Sequence, residues 1–118
     1  MGGKVIYMFM IAEGSSCIGY LTTSGRVSGT PHTIPLRLVY YQGKLYASGR
    51  DARSDWCRNL IHDPKVTVEV QGERWGGIAR LVTDQALCRK ISQLKYGGQR
   101  ASERRTVIEI ALVTASPG

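Results

Sequence analysis

Residues 18–36 read Ile18-Gly19-Tyr20-Leu21-Thr22-Thr23-Ser24-Gly25-Arg26-Val27-Ser28-Gly29-Thr30-Pro31-His32-Thr33-Ile34-Pro35-Leu36. Two runs rich in apolar and β-branched residues, Ile18–Thr23 and His32–Tyr41, flank a segment dense in Gly, Ser and Pro. That pattern predicts two strands joined by a turn. Gly25 and Gly29 can take backbone angles closed to other residues. A turn of this kind can aim several N–H groups and the Arg26 guanidinium at one anion. It can equally be an ordinary hairpin loop carrying a solvated arginine, and a short Gly-rich spacing does not decide between the two.

Working outward, the second run alternates. His32, Ile34, Leu36, Leu38 and Tyr40 share one face, and Thr33, Pro35, Arg37, Val39 and Tyr41 share the other. Pro35 cannot donate a ladder hydrogen bond, which predicts one free flank near it. Gln42-Gly43 supplies a tight turn, and Lys44–Ser48 returns as a third strand. Asp51 or Ser54 can cap a helix reaching about Ile61, with Trp56 and Leu60 on one face and Cys57 and Ile61 beside them. Pro64 ends it.

Lys65–Val70 alternates cleanly, with Val66, Val68 and Val70 facing one way. Gln71-Gly72 turns the chain into a longer strand over about 74–82, in which Gly76-Gly77 predicts a bulge or a sharp bend. Thr83 or Asp84 can cap a second helix whose buried stripe is Ala86, Leu87, Ile91 and Leu94, stopped by Gly97-Gly98. Gln99–Arg105 reads as a polar, basic loop and Val107–Val113 as a last strand. Hairpins dominate and two helices interrupt them. This predicts a single α+β domain over residues 1–118, built on a small, mainly antiparallel barrel of about six strands.

Composition narrows the partners. The chain has 118 residues, 42% apolar and 21% charged, as an ordinary globular domain does. A formal charge of +7 favours an anionic partner. The basic residues are scattered rather than in one run, which argues against nucleic acid. Cys17, Cys57 and Cys88 form no CxxC pair, and His32 and His62 stand far apart, so no metal site is expected and the thiols are expected free, as in the cytoplasm. The apolar run Val5–Ala12 is too short to span a bilayer. It is expected to pack on the core or on a second subunit.

No GxSxG, HExxH or Walker motif is present, and no catalytic residue can be named. The second place where chemistry can sit is Ser48–Asn59, where a loop runs into a helix N-terminus, which favours an anion. Arg50, Arg53 and Arg58 add charge, and Trp56 offers a flat face. That mixture suits a planar, phosphorylated ligand. Trp56 can equally be a core anchor, and Asn59 a cap on backbone groups.

The same two segments carry a resemblance. Tyr20-Leu21-Thr22-Thr23-x-Gly25-Arg26-x-Ser28-Gly29-x-Pro31-His32, then Leu45-Tyr46-x-Ser48-Gly49, Ser54-Asp55-Trp56-x-Arg58-Asn59-Leu60 and Asp63-Pro64-x-Val66-x-Val68, resemble the deazaflavin-dependent nitroreductase family. That family lies within the flavin-binding split barrels related to pyridoxamine phosphate oxidase. The match runs from about Cys17 to Val70, and the C-terminal half follows in pattern only.

The resemblance implies a homodimeric split β-barrel in the cytoplasm that binds coenzyme F-420, or alternatively FMN. It implies that Arg26, Ser28, His32 and Thr33 hold the cofactor phosphate, and that Ser48, Gly49, Arg50, Ser54, Trp56 and Asn59 line the ring. Val27 and His32 depart from the lysine and arginine of other members. The implied activity is hydride transfer from the reduced deazaflavin to a quinone, nitro compound or similar small acceptor, with Tyr96 or a tyrosine of a second subunit as a candidate proton donor. A flavin reductase or oxidase-like protein using FMN, and a non-catalytic cofactor binder, remain as alternatives.

Overall fold

The computed structural model describes residues 12–49, 54–96 and 106–113. The expected roles of residues 5–11, Arg50, Arg53, Gly97-Gly98 and Gln99–Arg105 lie outside the described residues. The elements in chain order are β1 (Ser16–Ser24), β2 (Pro31–Tyr41), β3 (Lys44–Gly49), α1 (Asp55–His62), β4 (Lys65–Val70), β5 (Glu73–Leu81), α2 (Gln85–Tyr96) and β6 (Thr106–Val113). The strands close into one barrel in the order β1-β2-β3-β6-β5-β4. Every pairing is antiparallel. The α+β barrel expected from the sequence is therefore the fold of the chain.

Turn chemistry sets the register. Gln42 and Gly43 have φ of 51° and 81°, and Gln71 and Gly72 have φ of 53° and 80°. Two successive left-handed residues are what a type I′ turn needs to match the twist of its flanking strands. β2 pairs with β1 from Pro31 to Val39 but with β3 only from Val39 to Tyr41. The flank beside Pro35 thus carries no β3 partner, as the missing N–H foretold.

Of the bulge or sharp bend expected at Gly76-Gly77, the bulge is absent. β5 keeps an unbroken register with both β4 and β6 through these residues. The glycines serve a close approach instead. A Cβ on Gly77 would stand 2.8 Å from Ile110 Cγ2, and one on Gly76 would stand 3.2 Å from Val113 Cγ2.

Alternation along the strands makes two cores. Inside the barrel, Leu21, Leu38, Leu45, Val68, Ile108 and Ile110 are fully buried. Cys57 and Leu60 of α1 join them, so α1 stoppers one end of the barrel. Outside, α2 lays Leu87, Cys88, Ile91 and Leu94 on Val39, Tyr46, Val82 and Val107. Ala86 was expected in that stripe but is exposed. The Asp84 carboxylate accepts from Ala86 N at 2.9 Å and Leu87 N at 3.3 Å, which fixes where the helix starts. With that start, Cys88 turns to the packed side and Ala86 to solvent.

Glu109 of β6 lies on the same outer wall, only 4% exposed. It accepts from Tyr46 Oη at 3.0 Å and from Arg80 Nε and Nη2 at 2.8 and 3.0 Å. Burial opposes the charge on Glu109, but the hydrogen bonds from Arg80 and Tyr46 and the charges of Arg80 and Lys44 outweigh it and hold the carboxyl below its ordinary value. Burial, with the Glu109 hydrogen bond, pushes the Tyr46 phenol up to about 12. None of the three cysteines is in a disulfide. Burial pushes the Cys17 and Cys88 thiols up, so neither is poised as a thiolate.

Candidate functional site

The β1–β2 turn is closed by two backbone bonds, Gly25 N to Thr30 O and Gly29 N to Gly25 O, both 2.8 Å. Gly29 sits at φ 77°, where a side chain is strained. The turn leans over the barrel mouth towards the first turn of α1. Between them is a cavity of about 340 Å³, at the small end of ligand sites. The turn lines it with Gly25, Arg26, Val27 and Ser28, the inward faces of β1 and β2 with Thr23, His32 and Ile34, and α1 with Asp55, Trp56 and Asn59.

The polar groups of this cavity form one chain of contacts. Asn59 Oδ1 accepts from Arg26 N at 3.2 Å and from Arg26 Nη1 at 2.8 Å. Asn59 Nδ2 donates to Thr23 Oγ1 at 3.3 Å. Arg26 Nη2 also meets Asp55 Oδ1 at 3.4 Å. Asn59 and Thr23 are buried, so their amide and hydroxyl must be satisfied within the protein. Asp55 and Asn59 are one helical turn apart and so present the same face to Arg26.

Of the residues expected to bind, Arg26, Ser28, His32, Trp56 and Asn59 come together around this cavity. The His32 ring lies over Gly25, where a Cβ would stand 2.8 Å from Nε2. Trp56 has both roles that the sequence left open, since it packs on the barrel core and lines the cavity. Gly49 lies against it: a Cβ there would stand 3.2 Å from Trp56 Cζ2.

The other expected residues are placed differently. Thr33 alternates to the opposite face of β2, and its hydroxyl meets Thr22 Oγ1 at 2.7 Å. Ser48 is nearly buried, with its carbonyl and its hydroxyl each 3.1 Å from Lys95 Nζ. Ser54 holds the N-cap position of α1 but makes no side-chain cap bond, and its buried Oγ has no hydrogen-bond partner. Arg50 lies outside the described residues, as does the side chain of Tyr96.

Sequence reasoning missed Asp55, Thr23 and Ile34. The i, i+4 spacing of Asp55 and Asn59 was a usable signal for the first. Ile34 could have been found from the alternation that puts it on the face of His32. Thr23 had no signal, because only the tertiary contact with Asn59 singles it out.

These donors fit an anionic group. The Arg26 guanidinium and the Ser28 hydroxyl border a space walled on one side by the Trp56 indole. Among the described residues no group of His, Cys, Asp or Glu can hold a metal ion, and no helix is long and apolar enough to cross a membrane.

Comparison with known proteins agrees in fold and family. A family model described as F420H(2)-dependent quinone reductase matches residues 2–114. No curated protein matches the sequence. Among solved structures, a conserved hypothetical protein of Mycobacterium tuberculosis is 20% identical, with 97% of this chain and 82% of that chain covered and a TM-score of 0.73. A candidate pyridoxamine 5′-phosphate oxidase of Listeria innocua is 16% identical, with 94% and 92% covered and a TM-score of 0.71. An F420-H2 dependent reductase is 21% identical, with 81% and 93% covered and a TM-score of 0.62.

Proposed function

The chain belongs to the F420H(2)-dependent quinone reductase family, whose coenzyme is the deazaflavin F-420, and from that membership we propose how its barrel mouth serves a reductase. The proposed activity is transfer of a hydride from reduced F-420 to a quinone, a nitro compound or a similar small acceptor. The observation that carries this reading is the Arg26–Asn59 contact: it fixes a cation at the rim of a cavity walled by Trp56. When bound, the coenzyme supplies the hydride.

The chain supplies position and electrostatics. Arg26 meets an anionic group of the coenzyme, with its guanidinium oriented by Asn59 before the ligand arrives. Ser28 offers a hydroxyl beside it. Trp56 and Ile34 give the ring an apolar wall and keep water from the acceptor.

The working unit in this reading is a homodimer. The outer wall away from α2 leaves Ile18, Tyr20, Ile78 and Val113 between 42% and 52% exposed. A second copy covers that wall.

Fluorescence titration with F-420 and with FMN, followed by turnover with menadione, tests the proposal. Micromolar binding of F-420 and reduction of the acceptor are expected. Binding of neither cofactor sinks it. Binding of F-420 with no transfer to any quinone or nitroaromatic leaves a coenzyme binder without the activity.

A further inference from the structure

The cation of the cavity already has two partners, and they differ in kind. Asn59 is 5% exposed, neutral, and held in turn by Thr23. It contacts Arg26 Nη1 at 2.8 Å, a short bond. The Asp55 side chain is 88% exposed and charged, and it meets Arg26 Nη2 at a long 3.4 Å. The first contact is scaffold. The second is exchangeable, because an exposed ion pair in high dielectric contributes little.

Asp55 is also in the first turn of α1, where the positive end of the helix dipole favours a carboxylate. Its charge therefore stays in place when Arg26 takes another partner. An anion reaching Nη2 must displace Asp55 from the guanidinium and then tolerate a carboxylate alongside.

We propose that Asp55 is a specificity-determining residue of the cavity, a resident anion that competes with the ligand for Arg26. Small anions, with no other contacts to offer, are held off. A phosphorylated ligand that also fills the space against Trp56 and Ile34 displaces it. This is discrimination by a repulsive element built into the site, which is how binding surfaces reject near neighbours of their ligand. The assignment rests on the reading of this cavity as the coenzyme site.

The test is calorimetric titration of the full chain with two probes, inorganic pyrophosphate and F-420. The proteins are the wild type, Asp55→Asn, Arg26→Ala and the double variant. Asp55→Asn is expected to tighten pyrophosphate about three- to tenfold at low salt, the size of one exposed charge acting at short range, and to tighten F-420 by a smaller factor, an equal gain for both probes overturning the role in specificity. The gain shrinks as salt rises and vanishes in the Arg26→Ala background. Unchanged or weaker binding of both probes to Asp55→Asn overturns the proposal, as does a gain that survives without Arg26. Should Asp55→Asn fail to fold in a thermal melt, Asp55→Ser is read in its place. If F-420 binds no variant while pyrophosphate still gains through Arg26, the coenzyme reading fails and with it the role in coenzyme specificity, while the competition of Asp55 for Arg26 stands.

Discussion

Asn59 Oδ1 takes two hydrogen bonds from one residue, the backbone N–H of Arg26 at 3.2 Å and its Nη1 at 2.8 Å. A buried carboxamide on α1 thereby holds the β1–β2 turn at both its backbone and its side chain. The turn that lines the cavity and the helix that stoppers the barrel are one unit. Asn59→Ala leaves Thr23 Oγ1 and two Arg26 donors without that partner. The expected loss is about 1–3 kcal/mol of folding stability, read by denaturant unfolding, with weaker coenzyme binding alongside. An Asn59→Ala protein as stable as wild type contradicts the linkage.

Arg26→Ala separates binding from scaffold. Loss of a charge-assisted hydrogen bond to the ligand weakens F-420 binding by about 1.5–3 kcal/mol, or roughly ten- to a hundredfold. From sequence alone Arg26 can be a solvated loop arginine, whose removal changes stability within about 0.5 kcal/mol. Its bond to buried Asn59 raises that expectation to about 1 kcal/mol. Unaltered affinity in a folded Arg26→Ala protein moves the anion site away from this turn.

The fold was legible because each strand and turn announces itself locally. Gln42-Gly43 and Gln71-Gly72 are turn pairs, and the Val66-Val68-Val70 alternation has one reading. The reason for Gly76-Gly77 was not legible: the contact they permit is with Ile110 and Val113, more than 30 residues on. The site was half legible. Arg26, Trp56 and Asn59 stand out by residue type. That Thr33 leaves the cavity while Ile34 enters it follows from the alternation, which puts Ile34 on the face of His32 and Thr33 on the other. Asp55 escaped because an exposed acid at a helix start has a sufficient local explanation in the helix dipole.

The Glu109 cluster predicts how stability depends on pH. Because the folded-state carboxyl lies below its ordinary value, its contribution is fully present above the unfolded value, near 4.5, and is lost as pH falls through the lowered folded value. Tyr46, pushed from 10.0 up to about 12, works from the other side: its contribution holds below 10 and is lost as pH rises towards 12. Thermal melts across both ranges should show both declines. Glu109→Gln should flatten the acid decline and Tyr46→Phe the alkaline one. An acid limb of the same slope in Glu109→Gln assigns it to other carboxylates.

Gly77→Ala tests the close approach of β5 and β6. The new methyl meets Ile110 Cγ2 at 2.8 Å and the Ala111 carbonyl oxygen at 3.3 Å. Overpacking of this kind typically costs about 1–3 kcal/mol. Gly76→Ala meets Val113 Cγ2 at 3.2 Å, where a partly exposed side chain can shift. The first substitution should lower the unfolding midpoint more than the second, and the reverse order contradicts the packing account.

The homodimer proposal has its own test in the uncovered wall. Tyr20 pairs across the barrel with Pro35 on one side and Glu69 on the other, and Ile78 pairs with Lys65 and Ala111. Among the described residues no helix covers these outward positions: α2 packs on Val39, Tyr46 and Val107 instead. A dimer stable at micromolar concentration needs roughly 1,000 Å² or more of buried surface, and on this wall the outward residues of β4, Lys65, Thr67 and Glu69, run between the apolar ones of β1 and β5. Light scattering of the wild type should give twice the chain mass. Tyr20→Asp and Ile78→Asp should each shift it towards a single chain. Both side chains are about half exposed, so the monomer fold should lose little, and an unchanged circular dichroism spectrum checks this. A wild-type mass of one chain at micromolar concentration excludes the dimer. A dimer that survives both aspartates seats the second copy elsewhere on the barrel.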